Sequence, residues 1–185
     1  MTSEKKGIKK EERKKCVWLS VWVWRAVLTL ATVGMFAFIF SNSATTGEQS
    51  SGASQSVTKQ IQAVFKVIAP QSWIATASGE QFSILHEWVR KIAHFAEFFA
   101  LGMFATWCYF SYSKVAVGIV LPLATVVFTP IADEFLQGQT AGRATELLDM
   151  MIDTAGGLAG VVFAAVTACV VFAVVRRKRK IKGDR

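Results

Sequence analysis

The chain is 185 residues long, with 52% hydrophobic residues, 18% charged residues and a mean hydropathy of +0.38. This apolar-rich, charge-poor composition argues against a disordered protein, a collagen-like fibre and an ordinary cytosolic domain. The formal charge is +8, from 21 Lys and Arg against 13 Asp and Glu. A basic chain can bind a membrane surface or nucleic acid, and the placement of its charges decides between the two.

The basic residues concentrate in two tails, 1–16 and 176–185, with seven Lys or Arg in each. Basic tails around an apolar middle follow the positive-inside rule when both termini are cytoplasmic. Binding of nucleic acid by the tails is the alternative. Because no zinc finger, recognition helix or aromatic RNA platform accompanies the tails, we expect no nucleic-acid partner.

Four apolar stretches are long enough, or nearly so, to cross a bilayer, which takes about 20 residues. They are residues 17–40, 92–112, 115–132 and 147–175. The first begins with Trp18, Trp22 and Trp24, as an interfacial belt does, and its length favours a retained helix over a cleaved signal peptide. Four crossings return the C-terminus to the side of the N-terminus, in agreement with the basic tails. The sequence therefore predicts an all-α integral membrane protein with a four-helix membrane domain, 17–175, between two cytoplasmic tails.

The largest aqueous segment is an outer loop, residues 41–87. Apolar residues in it recur at helical spacing, at Val57, Ile61, Val64, Phe65 and Ile68. This spacing predicts an amphipathic helix that lies on the outer membrane surface or against the bundle. A second short helix is expected to run from Phe82 into the second span.

Ten ionisable side chains gather at the outer ends of the last three spans. They are Arg90, Lys91, His94, Glu97, Asp133, Glu134, Arg143, Glu146, Asp149 and Asp153. A charged side chain at mid-bilayer costs about 2.5–3.5 kcal/mol on insertion scales, so we expect these groups to converge on a polar pocket near the outer interface. With His94 neutral their formal charge is −3, which favours uptake of protons, a metal or another cation.

Several of these residues have specific predicted roles. His94 is a candidate general acid or base, and Glu97, on the same helix face, would orient it. The predicted ligand pocket comprises Arg90, Lys91, Asp133, Glu134, Gln137, Arg143, Asp149 and Asp153. Glu134, Asp149 and Asp153, with Asp133 as a further candidate, could hold a divalent metal, and their hard oxygen atoms favour Mg²⁺, Ca²⁺ or Mn²⁺.

Structural interpretations of the same residues remain open. His94 and Glu97 could form a hydrogen-bonded pair that holds the bundle together, and Lys91 could anchor its helix at the headgroups. Gly156 and Gly160 have GxxxG spacing, which favours a helix-packing surface over a ligand cradle.

Five short stretches also carry a family resemblance. They are Phe40-Ser41-Asn42-Ser43, Arg90-Lys91-x-x-His94-Phe95-x-Glu97-Phe98, Asp133-Glu134-x-x-Gln137, Gly142-Arg143 and Asp149-x-x-x-Asp153-Thr154-x-Gly156-x-x-x-Gly160. In their order and spacing the chain resembles the VanZ-like family of bacterial membrane proteins, although many members carry Asn where this chain has Asp153. The resemblance implies a multi-pass protein of the bacterial plasma membrane. It also implies a link to antibiotic resistance, because the founding member is associated with low-level resistance to the glycopeptide teicoplanin.

Three functions follow as hypotheses. The first is a cell-envelope factor that binds a lipid-linked or surface ligand at the outer leaflet and lowers teicoplanin susceptibility. The second is an intramembrane, metal-assisted enzyme acting on a lipid or peptidoglycan precursor, and the third is a small proton-coupled transporter. The expected partners are membrane lipids and a cell-wall precursor or glycopeptide, and a transporter of four helices would need to form an oligomer.

Overall fold

The computed structural model describes the backbone of residues 2–113 and 115–183 and the side chains of residues 18–113 and 118–177. Six helices and no strand occur in these ranges. They are α1 (Thr2–Ser43), α2 (Gly47–Ile68), α3 (Trp73–Thr76), α4 (Glu80–Tyr112), α5 (Val115–Gly138) and α6 (Leu147–Gly183). Most basic side chains of the two tails, which underlie the predicted orientation of the termini, lie outside the described side chains.

Three helices contain segments long and apolar enough to cross a membrane. These segments are Trp18–Ser43 in α1, Gly118–Gly138 in α5 and Leu147–Arg177 in α6. The second predicted span, 92–112, lies within α4 but is not among them. His94 and Glu97 lie within this stretch and lower its mean hydropathy.

α4 lies at the centre of the bundle and packs against α1, α5 and α6. Phe98 and Leu101 of α4 are fully buried and form the core with Ile39 of α1. At the other end of α4, Nε of Arg25 donates to the Ser111 carbonyl oxygen at 2.8 Å. Arg25 is the one charged residue in the first apolar stretch. It thus donates a hydrogen bond to the last turn of α4, where backbone carbonyl groups lack helical partners.

α2 covers one side of α4. It begins where Oγ1 of Thr46 accepts the Gln49 N–H and caps the first turn. The apolar pattern predicts only its second half, because the first half is rich in Ser and Gln. Oγ of Ser54 and Nε2 of His86 are 2.8 Å apart, and this hydrogen bond ties α2 to α4.

The loop between α5 and α6 packs against the junction of α1 and α2. The Gly47 N–H donates to the Ala141 carbonyl oxygen at 3.0 Å. Gly142 follows with a φ of 76°, a left-handed conformation that glycine adopts without strain, and a Cβ on Gly47 would overlap the Gly142 carbonyl. This close approach directs the next residue, Arg143, back toward the end of α1.

Candidate functional site

Polar side chains from four helices and one loop meet where α1 ends, α5 ends and α6 begins. Four acidic residues are buried there, and we call them the acidic cluster: Asp133, Glu134, Asp149 and Asp153. Gln137 is also buried beside them. The residues are distant in sequence, and they meet because the polar part of α4 lies level with the end of α5 and the start of α6.

Asp133 is the best-supported carboxylate of the acidic cluster. One of its oxygens accepts a hydrogen bond from Oγ of Ser43, and the other accepts one from Nε2 of Gln137 at 2.7 Å. Ser43 is the last residue of α1, while Gln137 lies one turn after Asp133 on α5. The α1 terminus therefore holds a carboxylate of α5 in a single orientation.

His94 lies beside Asp153 rather than Glu97. Nδ1 of His94 is 3.8 Å from Oδ1 of Asp153, and neither atom has a hydrogen-bond partner. His94, Asp133 and Asp153 each present a ligand atom, and these atoms all lie within 4.8 Å of one another. No hydrogen bond between described side chains joins His94 to Glu97, and Oε1 of Glu97 accepts one from Asn42.

Arg90 and Asp149 form an ion pair between α4 and α6. Nη2 of Arg90 is 3.1 Å from Oδ2 of Asp149, whose other oxygen has no partner. Arg90 is partly exposed while Asp149 is buried, so the ion pair connects the buried acidic cluster to a solvent-accessible side chain of α4.

Arg143 and Glu97 both contact the end of α1. Nη2 of Arg143 donates to the Asn42 carbonyl oxygen at 3.2 Å and lies 3.4 Å from Oγ1 of Thr45. The side-chain amide of Asn42 donates to Oε1 of Glu97 at 3.3 Å. Burial, followed by the nearby Arg90 charge, lowers the pKa of the Arg143 guanidinium, which stays charged because its ordinary pKa is very high.

Two of the predicted site residues have other partners. Oε1 of Glu134 accepts the backbone N–H of Glu146, and its Oε2 has no partner. Lys91 pairs with exposed Glu87 at 2.6 Å, which raises the pKa of Lys91 and lowers that of Glu87. Within the described part of the chain, the ion-pair partner of Lys91 is thus an exposed acid one turn earlier on α4 rather than a member of the acidic cluster.

A cavity of about 360 Å³ opens between α2 and α4, and we call it the α2–α4 cavity. Its charged and imidazole-bearing wall comprises Arg90, His94, Glu97 and Arg143, and its apolar wall includes Phe38 and Val57. The acidic cluster does not line it. The structure therefore divides the predicted charge of −3, because two guanidinium groups and one carboxylate line the cavity, whereas the four buried carboxylates of the acidic cluster do not.

Three residues near the site were not among the sequence-based candidates. Ser43 holds Asp133, Asn42 joins Glu97 to Arg143, and Ser54 lines the cavity from α2. Asn42 and Ser43 belong to the short stretch after the first span that carries the family resemblance. That stretch was the available signal, whereas nothing in the local sequence distinguishes Ser54 from its neighbouring serines.

Comparison with known proteins identifies the family of the chain. A family model described as VanZ/LLP1 matches residues 28–170, a range that contains every residue of the site. Neither the search of curated proteins nor the search of solved structures found a match. With three helices apolar enough to cross a membrane, the match indicates a multi-pass protein of the cell envelope. The chain belongs to the VanZ/LLP1 family.

Proposed function

We propose that this VanZ-like protein binds a lipid-linked or surface ligand in the α2–α4 cavity, at the outer leaflet of the bacterial plasma membrane. Binding there lowers susceptibility to teicoplanin. The observation that supports the proposal is the α2–α4 cavity. The guanidinium groups of Arg90 and Arg143 line it, and so does α2, a helix that could lie on the membrane surface.

The cavity walls favour an anionic headgroup with an apolar part. Arginine carries five N–H donors, and among the described residues Arg143 uses only Nη2 in hydrogen bonds. Its remaining donors can bind phosphate or carboxylate oxygens, and Arg90 lies on the same wall. Phe38 and Val57 provide apolar contact for a chain or ring next to that group.

The outer-leaflet location requires that α4 also crosses the membrane, in addition to α1, α5 and α6. α4 need not be highly apolar to cross the membrane, because α1, α5 and α6 cover it and its polar groups contact protein rather than lipid. With four spans and cytoplasmic termini, α2 and the cavity lie on the outer side. A lipid-linked cell-wall precursor presents its headgroup at that level.

The proposal is tested by complementing a deletion strain. We expect deletion of the gene to lower the minimal inhibitory concentration of teicoplanin and the unmodified gene to restore it. Arg143→Ala should fail to restore it although the protein reaches the membrane in normal amount, because the change removes one of the two guanidinium groups. Immunoblots of membrane fractions report the amount.

Lys59→Ala is the matched control, since Lys59 is an exposed basic residue of α2 that does not line the cavity. This variant should restore teicoplanin tolerance fully. Unchanged susceptibility and unchanged envelope lipids after deletion would contradict the proposal, as would full complementation by Arg143→Ala.

A further inference from the structure

We propose that His94, Asp133 and Asp153 bind one divalent transition-metal ion, such as Zn²⁺ or Mn²⁺. The three residues come from α4, α5 and α6, so the ion would join three helices at the level of the acidic cluster. The site does not depend on the proposed ligand of the α2–α4 cavity, because the ion alone is the ligand.

The separations of the side-chain atoms suit a shared ion. Ligands about 2.0–2.2 Å from one metal lie roughly 3–4.4 Å from each other, depending on the coordination angle. Nδ1 of His94 and Oδ1 of Asp153 are 3.8 Å apart, too far for a hydrogen bond but within this range. The third ligand atom, from Asp133, lies within 4.8 Å of both, so a movement of a few tenths of an ångström at most brings it into this range.

The unpartnered buried atoms of Asp153 and His94 favour the binding of a cation. Asp153 is 1% exposed, and neither its Oδ1 nor Nδ1 of His94 accepts or donates a hydrogen bond. Among the described side chains, no Lys or Arg lies within ion-pairing distance of Asp133 or Asp153. Two buried carboxylates without such a partner are costly, and one divalent ion would neutralise both.

The surroundings of Asp133 resemble the support that metal ligands usually have. Ser43 and Gln137 each donate to one of its oxygens and fix the plane of the carboxylate. Such donors orient a ligand while leaving a lone pair on each oxygen free for the ion. One imidazole with two carboxylates suits Zn²⁺ or Mn²⁺ better than Ca²⁺, and three protein ligands leave a position for water.

This set differs from the one that the sequence suggested, which combined Glu134, Asp149 and Asp153. In the structure Glu134 accepts a backbone N–H and Asp149 pairs with Arg90, so both are partly engaged elsewhere. Asp153 is common to the two sets, and Asp133 was a further candidate in the sequence-based one. The two sets are therefore separable by single substitutions.

The experiment measures metal bound to the purified full-length protein in detergent. After removal of metals with a chelator, the protein is titrated with ZnCl₂ or MnCl₂ and the bound ion is measured by calorimetry and elemental analysis. We expect about one ion per chain and a higher melting temperature when it is bound, since a ligand of the folded state stabilises it. Asp153→Asn and His94→Ala should each bind the ion at least about tenfold more weakly, because even supporting residues typically contribute that much.

Two controls keep the result interpretable. Glu87→Gln removes an exposed acid of α4 outside the site and should bind normally. Glu134→Gln distinguishes the two sets, and retained binding by this variant supports the set proposed here. The proposal is overturned if the unmodified protein binds neither ion, if Asp153→Asn binds as tightly as the unmodified protein, or if Glu134→Gln abolishes binding while Asp133→Asn does not. Far-ultraviolet circular dichroism in detergent measures helix content and shows whether each variant is folded.

Discussion

Asp133 and Asp153 are both 1% exposed, yet their oxygen atoms have very different surroundings. Asp133 accepts hydrogen bonds from Ser43 and Gln137, whereas Oδ1 of Asp153 accepts none. A buried carboxylate is tolerated when donors replace its lost hydration. The hydroxyl of Ser43 is therefore important for stability, although serine at a helix end is usually unremarkable in sequence.

We predict that Ser43→Ala destabilises the protein by about 1.5–3 kcal/mol, the usual worth of a hydrogen bond to a charged group. Thermal unfolding in detergent measures this as a lower melting temperature. Ser83→Ala is the matched control, because Ser83 is exposed and its hydroxyl donates to the carbonyl oxygen of Gly79, the residue that precedes its own helix. Equal melting temperatures for the two variants would show that Asp133 does not depend on the α1 terminus.

At the scale of the helices, α4 and α6 approach closely because glycines face the partner backbone. A Cβ on Gly156 would overlap the Phe95 carbonyl oxygen, and one on Gly160 would overlap that of Phe99. This confirms that the GxxxG spacing marks a packing surface. The close approach also determines how near Asp153, on α6, lies to His94, on α4.

Gly160→Ala should force α4 and α6 apart, and we expect a cost of about 1–3 kcal/mol or more, as for other overpacked sites. A thermal melt compares it with Gly34→Ala, where a Cβ on α1 would have no neighbour within 4 Å. Gly34→Ala should be neutral or slightly stabilising, because alanine favours helix. Similar melting temperatures for the two variants would contradict the close helix contact.

At the scale of the whole molecule, the distribution of polar and apolar groups is the reverse of that in a soluble bundle. Leu30, Phe128 and Phe172 are about two-thirds exposed or more, while the acidic cluster is buried. Large apolar residues on the outer faces of α1, α5 and α6 suit contact with lipid. The polar groups in the interior avoid lipid by contacting one another.

Membrane topology gives a prediction at this scale. Gln55→Cys, at an exposed position of α2, should react with a membrane-impermeant maleimide in intact cells, because the proposed topology of four spans with cytoplasmic termini would place α2 outside. Arg177→Cys, near the C-terminal end of α6, should react only after the cells are permeabilised, because the same proposed topology places that end in the cytoplasm. An unlabelled Gln55→Cys, or an Arg177→Cys labelled in intact cells, would contradict four spans with a cytoplasmic C-terminus.

The helices were predictable because the long apolar runs of this chain favour membrane-spanning helices. Each predicted span lies inside α1, α4, α5 or α6, and α3 was the element missed, since four residues carry no periodicity. The site was predictable only as a set of residues at one end of the bundle. Its members were recognisable because each charge would be costly in lipid, an argument that needs no knowledge of pairing.

The sequence by itself thus determined the helical class, the apolar segments and the level at which the polar side chains gather. Only the tertiary structure decided which of them pair, placing Asp149 with Arg90, Asp153 near His94, and Lys91 with Glu87. The physical reason is that hydropathy depends on each residue's own transfer free energy. A contact between helices depends instead on their rotation and separation, which the packing of Gly156, Gly160 and the other interface residues determines.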